Sequence, residues 1–176
     1  DFTGGDVDAA FSEAAGVVRR SFSAQRHTGT PMEPRGIIAA YDRAMDTMRV
    51  VANWQDVFLA RAVISKVLDM PMSRLEIRAP DSGGGFGVKL PVYPEELATI
   101  CVAKHLGADV RWIQDRQEDL LGTSQHRDLI IEAEMAHDAD GRVLGLKTKI
   151  VSDAGAYGVP ARGNTVEGMM AAEDIV

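Results

Sequence analysis

The spacing of apolar and polar positions divides this 176-residue chain into short strands and about three helices. In "GGDVDAAFSEAAGVVRR", Asp6 and Asp8 are the two N-cap candidates for an alanine-rich short helix, and "VVRRSFSAQ" then reads as a strand. "GIIAAYD" (36–42) and "DTMRVVAN" (46–53), joined by a short polar turn, have the pattern of a hairpin. Across 55–68, Val57, Ala60, Ile64 and Val67 recur at helical spacing. "SRLEIRAP" (73–80) is the next strand and runs straight into a glycine-rich loop. Beyond it Pro94 opens a helix whose first turn carries Glu95 and Glu96, where their charge suits the dipole, and Gly107 ends it. Leu97, Ile100 and Cys101 fall on one face of that helix, which makes Cys101 a packed core thiol.

The best-determined local piece is "RDLIIEAEMAHDADGRVLGLKTKIVSD". Asp140-Gly141 is a two-residue turn signal of the primed type. Centring the turn there places Ile131 opposite Ile150, Met135 opposite Leu146 and His137 opposite Leu144. The other face then brings Glu132 to Lys149 and Glu134 to Lys147. A slip of one residue would destroy both the apolar face and the charge pairs, so the register is strongly specified and the charges are structural. The chain shows no 20–50-residue repeat and no low-complexity tract. Strands mixed with helices give an α+β (mixed α/β) fold class, read as a single domain over 1–176.

Charge and composition narrow the function. A net charge of -7 argues against a broad nucleic-acid or anionic-membrane surface. There is no run of 18 apolar residues to form a membrane helix. One cysteine excludes an internal disulfide framework and a Cys-rich metal cluster. The first residue is Asp1, and the last stretch, "GNTVEGMMAAEDIV", does not read as a finished domain edge; the expectation is a piece of a longer polypeptide, in which a missing targeting signal carries no information.

The candidate chemistry sits in "APDSGGGFGVKLPVYPEE" (79–96). A phosphate-binding P-loop needs Gly-Lys-Ser/Thr, whereas Val88 precedes Lys89 and Leu90 follows. A dinucleotide fingerprint starting at Gly83 needs a sixth-place glycine and meets Val88 instead. Two readings stay open from the residues alone. The loop is a structural turn or docking surface of a non-catalytic module, or its successive N–H groups at Gly84 to Gly87 form a concavity for an anionic ligand, with Phe86 abutting a flat one.

Several stretches in order, "GDVDAAF", "QRHTGTPMEPRG", "NWQ", "DSGGGFGVK", "VRWIQDRQED", "SQHRD" and "DADGRVLGLKTKIVSDAGAY", resemble the molybdenum-binding large subunit of the xanthine dehydrogenase/aldehyde oxidase family. The glycine loop, the "DR-x-E" segment and the late "D-x-GAY" look most like the carbon monoxide dehydrogenase-type large chains. The likeness covers nearly the whole chain but only the first part of that family's molybdopterin-binding region.

The resemblance implies the following. Gly84, Gly85, Phe86 and Gly87 are cofactor-contacting, glycine letting the main chain approach the cofactor without a side chain between. Gln55 matches a glutamine placed near the metal's oxo and sulfido ligands, where an amide can donate while staying uncharged. Arg127, in "QHRD", matches an arginine lining the substrate pocket of purine-oxidising relatives; a strand-end ion pair with Asp128 or another surface carboxylate is an alternative of at least equal weight. Glu33 and Arg35 are expected to pair with each other near the site, and Lys89 to support the loop. Leu90 stands where purine-oxidising members carry a substrate-binding glutamate, which argues against xanthine and for a neutral or apolar substrate. No residue here ligates the metal directly, and the general-base glutamate belongs downstream. The implied parent is an oligomeric, cytoplasmic molybdenum oxidoreductase. It carries molybdopterin, in the plain or cytosine dinucleotide form, with iron–sulfur clusters and FAD on partner subunits or domains. The isolated chain is expected to be inactive alone.

Overall fold

The computed structural model describes residues 4–153. In chain order these form α1 (Val7–Ser12), β1 (Gly16–Ala24), β2 (His27–Thr28), β3 (Gly36–Asp42), β4 (Thr47–Ala52), α2 (Val57–Leu68), a 3-10 turn (Met72–Arg74), β5 (Leu75–Arg78), α3 (Pro94–Leu106), β6 (Val110–Ile113), α4 (Arg116–Gly122), β7 (Gln125–His126), β8 (Leu129–His137) and β9 (Val143–Ser152). Helices and mixed sheets together make the α+β class expected from the sequence. The chain forms two compact units, passing from one to the other between His27 and Thr28 and back between Gln125 and His126.

The unit of β3–β6 and α2–α4 carries a four-stranded sheet in the order β5-β4-β3-β6. β3 pairs antiparallel with β4, as the 36–53 hairpin pattern predicts, and with β6; β4 and β5 are parallel, joined through α2. Alternate residues of the strands face one way: Ile37, Ala39, Met48, Val50, Ala52 and Leu75 are buried against Ala60, Ile64 and Leu68 of α2 and Ile100 and Ala103 of α3. Each large side chain so covered contributes roughly 1.5–3 kcal/mol, which fixes the sheet on the two helices. Asp56 caps α2 by accepting the Phe58 and Leu59 N–H groups at 2.9 Å. Gly107 ends α3 at φ 64, and Arg43 closes the exposed end by donating to the His105 and Leu106 carbonyls.

Two helix faces differ from the sequence reading. The inward stripe of α2 ends on Leu68, leaving Val67 half exposed. On α3 the buried positions are Glu96, Thr99, Ile100 and Ala103, so the stripe is rotated and Cys101 is exposed rather than a core thiol. The rotation follows from Glu96, whose burial among polar partners a hydrophobicity pattern does not register.

The other unit is an antiparallel sheet, β1-β8-β9, with α1 against β9. The β8–β9 register is the predicted one from Ile131–Ile150 to Ala136–Gly145, and a bulge then pairs His137 with Val143 rather than Leu144. The cause is the turn. Gly141 alone takes positive φ, at 83°, its N–H donates to the Asp138 carbonyl at 3.2 Å, and Asp138 N–H donates to Arg142. This is a three-residue loop with a glycine bulge, not a two-residue primed turn. The expected Glu132–Lys149 pair is present at 3.8 Å, whereas Glu134 pairs with Arg19 of β1, and Lys147 bonds Asp8 and lies over the Phe11 ring.

Candidate functional site

Three adjacent residues leaving β4, "NWQ", go to three different partners as the chain leaves the strand and bends at Gln55. Asn53 accepts the Gly36 N–H at 3.1 Å and donates to the Pro34 carbonyl at 2.9 Å, fixing the start of β3. Trp54 donates its indole N–H to Glu96 Oε2 at 3.0 Å. Gln55 meets the glycine loop: its N–H donates to the Lys89 carbonyl at 3.0 Å, and its Oε1 accepts the Lys89 N–H at 3.1 Å. With Oε1 so engaged, Nε2 is the end of this exposed amide left to donate outward.

The loop between β5 and α3 is anchored on both sides. At its entry the Gly83 N–H donates to Glu33 Oε2 at 2.8 Å, and the Lys89 ammonium reaches the same oxygen at 2.8 Å. Lys89 is completely buried. Its hydrogen bond, with the Gly83 amide, holds the Glu33 carboxyl down at about 2, against an opposing push from burial. At its exit Tyr93 donates its hydroxyl to the Val88 carbonyl at 2.8 Å and accepts the Ser124 N–H at 3.2 Å.

Between the anchors the chain makes a tight turn. Val88 N–H donates to the Gly85 carbonyl at 3.0 Å, and both central residues have positive φ, Phe86 at 51° and Gly87 at 84°. Positive φ at both places is the primed type I pattern, ordinarily filled by Gly or Asn. A bulky residue there is an outlier costing on the order of 1–2 kcal/mol. Phe86 bears it while 71 % exposed. Gly85 needs its missing side chain for another reason: a Cβ there would lie 2.6 Å from Gln55 Cδ. Among the described residues, no hydrogen bond is made by the N–H groups of Gly84, Gly85, Phe86 and Gly87. The result is a run of free donors, a displayed phenyl ring and a carboxamide N–H source in one place, suited to a ligand with acceptor atoms and a flat part.

Arg35 is the hub behind this surface, and it does not pair with Glu33. Its wholly buried guanidinium lies 3.6 Å from the Tyr93 ring centroid and forms ion pairs with Glu95 and with Glu96 at 3.7 Å. Gln114 Oε1 accepts both the Arg35 N–H and its Nε–H. Burial pushes the Glu96 carboxyl upward despite the Tyr93 and Trp54 donors and the Arg35 charge. The expectation of a Glu33–Arg35 pair fails because the chain bends at Met32–Glu33 ahead of β3 and each side chain finds its own partner; Glu33 turns to Lys89 and Arg35 to α3.

Of the residues singled out in the sequence, Gln55 and Gly84 to Gly87 are brought together. Arg127 lies in the other unit, exposed, with φ 71. Its neighbour Asp128 pairs with Arg26, at 2.7 Å, rather than with Arg127. Residues 154–157 of the "D-x-GAY" stretch lie outside the described residues. Among the described residues no cluster of three or more His, Cys, Asp or Glu could hold a metal ion, and no helix is long and apolar enough to cross a membrane. Sequence reasoning gave no role to Tyr93, Ser124 and Asn53, which stand in the stretches "VYPEE", "SQHRD" and "NWQ".

Comparison with known proteins adds a family to this geometry. Residues 1–174 match the model of the molybdopterin cofactor-binding domain. The chain is 39 % identical over 155 residues to the 6-hydroxypseudooxynicotine dehydrogenase complex subunit gamma of Paenarthrobacter nicotinovorans, covering 87 % of this chain and 19 % of that protein. It is 33 % identical over 151 residues to the carbon monoxide dehydrogenase large chain of Hydrogenophaga pseudoflava, covering 86 % and 19 %. Among solved structures, quinoline 2-oxidoreductase from Pseudomonas putida 86 superposes with a TM-score of 0.79 at 37 % identity, over 88 % of this chain and 20 % of that one. The chain thus spans about a fifth of the length of these relatives.

Proposed function

The chain belongs to the molybdopterin cofactor-binding domain family, and on that premise we propose that it supplies the cofactor-facing loop of the catalytic subunit of a molybdenum-dependent oxidoreductase. The observation that carries the reading is the run of four unpartnered N–H groups at Gly84 to Gly87, closed down on Gln55 where a Cβ at Gly85 has no room. These residues fit the group: free donors suit its oxygen and sulfur acceptors, and the absent side chains permit the approach. The cofactor, when bound, supplies the two-electron redox chemistry.

This chain's own share is binding and orientation. The Gly84–Gly87 backbone would donate to the cofactor's acceptors, Phe86 would cover its flat part, and Gln55 Nε2 would donate without adding charge. The general base is not assigned to any residue here, and iron–sulfur and flavin centres belong to partner domains or subunits. Arg127 is a substrate-pocket candidate. Leu90, in place of a glutamate, favours a neutral or apolar substrate, in keeping with the solved relative named for quinoline. The test is molybdenum and pterin analysis of the natural polypeptide that carries these residues, isolated with its partners. Stoichiometric metal that falls several-fold on Gln55→Ala or Gly85→Val supports the reading. A fully assembled protein without molybdenum refutes it.

A further inference from the structure

Lys89 lies just beyond the loop's turn, yet its ammonium is completely buried and turned away from the Gly84–Gly87 surface toward Glu33, 56 positions back in the chain. The Glu33 oxygen that it contacts also takes the Gly83 N–H at the loop's entry. Ser82 Oγ stands 3.4 Å from both charged groups. Meanwhile both peptide groups of Lys89 are committed to Gln55, the N–H to Oε1 and the carbonyl to the Gln55 N–H. One residue therefore joins the "MEP" segment, the entry of the loop and the residue whose amide faces outward. Resting on the proposed function, we infer that Lys89 is the positioning residue of the cofactor-facing loop, with Glu33 as its counter-charge.

The physical reason is that a buried ammonium tolerates little drift. If the loop moves off Glu33, a charge is stranded without a partner, which costs far more than a slackened surface pair. The alternatives between clamped and loose are thereby removed, and Gly83, Lys89 and Gln55 Oε1 keep fixed relative positions. Lys89 touches no ligand in this arrangement; it acts through Glu33, Gly83 and Gln55. Its role is the reverse of a phosphate-binding lysine, whose ammonium must reach out of the loop.

The experiment uses the natural polypeptide and measures amide hydrogen exchange with and without cofactor. Lys89→Met keeps the length and burial of the side chain and removes its charge; Glu33→Gln removes the counter-charge; Glu33→Asp retains it. Exchange at Gly83, Val88 and Lys89 should rise at least tenfold in Glu33→Gln, and at Gly83 and Val88 in Lys89→Met. Strands Gly36–Asp42 and Thr47–Ala52 should stay within twofold, and Glu33→Asp should retain most of the protection. Cofactor content should fall in the first two variants and recover in the third. The inference is overturned if loop exchange is unchanged in both charge-removing variants. It is equally overturned if the core strands loosen as much as the loop, or if Glu33→Asp behaves as Glu33→Gln, since the lysine would then be merely structural. The exchange measurement on apo-protein needs no cofactor. A polypeptide that contains no molybdenum would refute the proposed function while the exchange result still decides the role of Lys89.

Discussion

Gly85→Ala tests the closeness of the loop to Gln55 directly. Gly85 has no positive φ, so the backbone accepts alanine and the effect is purely one of space. The new methyl would sit 2.6 Å from both Gln55 Cδ and Oε1, well inside contact distance. The Gln55 side chain is crowded from Cγ at 2.7 Å to Oε1 and must rotate away as a whole, so the main cost is the loss of the Lys89 N–H to Oε1 bond. Lys89 is buried, and its N–H is left without an acceptor, at about 1–3 kcal/mol. Gln55→Ala removes the same acceptor and should cost a similar amount. In the double variant the methyl has room and the bond is already gone, so adding Gly85→Ala to Gln55→Ala should cost no more than about 0.5 kcal/mol. Urea unfolding of the four proteins at one pH, with equal m-values, closes the cycle. Additive losses, with no coupling between positions 55 and 85, would refute the contact and with it the reason for a glycine at 85.

Phe86→Gly relaxes a left-handed residue that buries little, so it should leave stability unchanged or raise it by up to about 1 kcal/mol in urea unfolding, while lowering retained molybdenum. Arg35→Met strands the Glu96 carboxylate among Trp54 and Tyr93 and should cost about 3–5 kcal/mol, with about half of that recovered in Arg35→Met/Glu96→Gln. The two acids act oppositely with pH. Glu33 is depressed to about 2, so its contribution is present above its ordinary value of 4.5 and is lost as pH falls toward 2; Glu96 is raised, so its burden grows as pH climbs above 4.5. An acid titration followed by circular dichroism should therefore show Glu33→Gln flattening the loss of stability below pH 4.5 and Glu96→Gln flattening the loss above it.

The elements were legible where a period governed them. Alternation marked both hairpins, and the charge pairing across 129–152 fixed the register over most of its length because one slip would have exchanged the two faces. What failed was local chemistry that period does not encode. The turn at Asp140-Gly141 took one more residue than the dipeptide signals, since Asp138 accepts the Asp140 and Arg142 N–H groups and pulls the loop open. The inward face of α3 was misread because Glu96 and Thr99 lie inside, and a buried acid held by Trp54 and the Tyr93 N–H looks in sequence like any first-turn glutamate.

The glycines of the candidate site stood out in the sequence and the partners of its charges did not, for a physical reason. A glycine carries its meaning locally: no side chain, a positive φ, a close approach. A buried ion pair carries its meaning in a partner that the sequence does not name, here 56 positions away for Lys89 and 60 or 61 for Arg35. Glu33 and Arg35 therefore read as one pair and Lys89 as a support of the loop, and only the fold sent Glu33 to Lys89 and Arg35 to Glu95 and Glu96. Phe86 completes the point from the other side. Glycine could make the same turn without strain, yet a phenyl ring stands there at a cost of about 1–2 kcal/mol and with most of its surface bare. Buried Lys89 and Tyr93 hold the turn from behind and offset that strain, so the unsatisfied features, the ring and four N–H groups, all collect on the loop itself. A loop held from behind by buried partners, with its ring and N–H groups displayed in front, is the arrangement the proposed cofactor-facing role calls for.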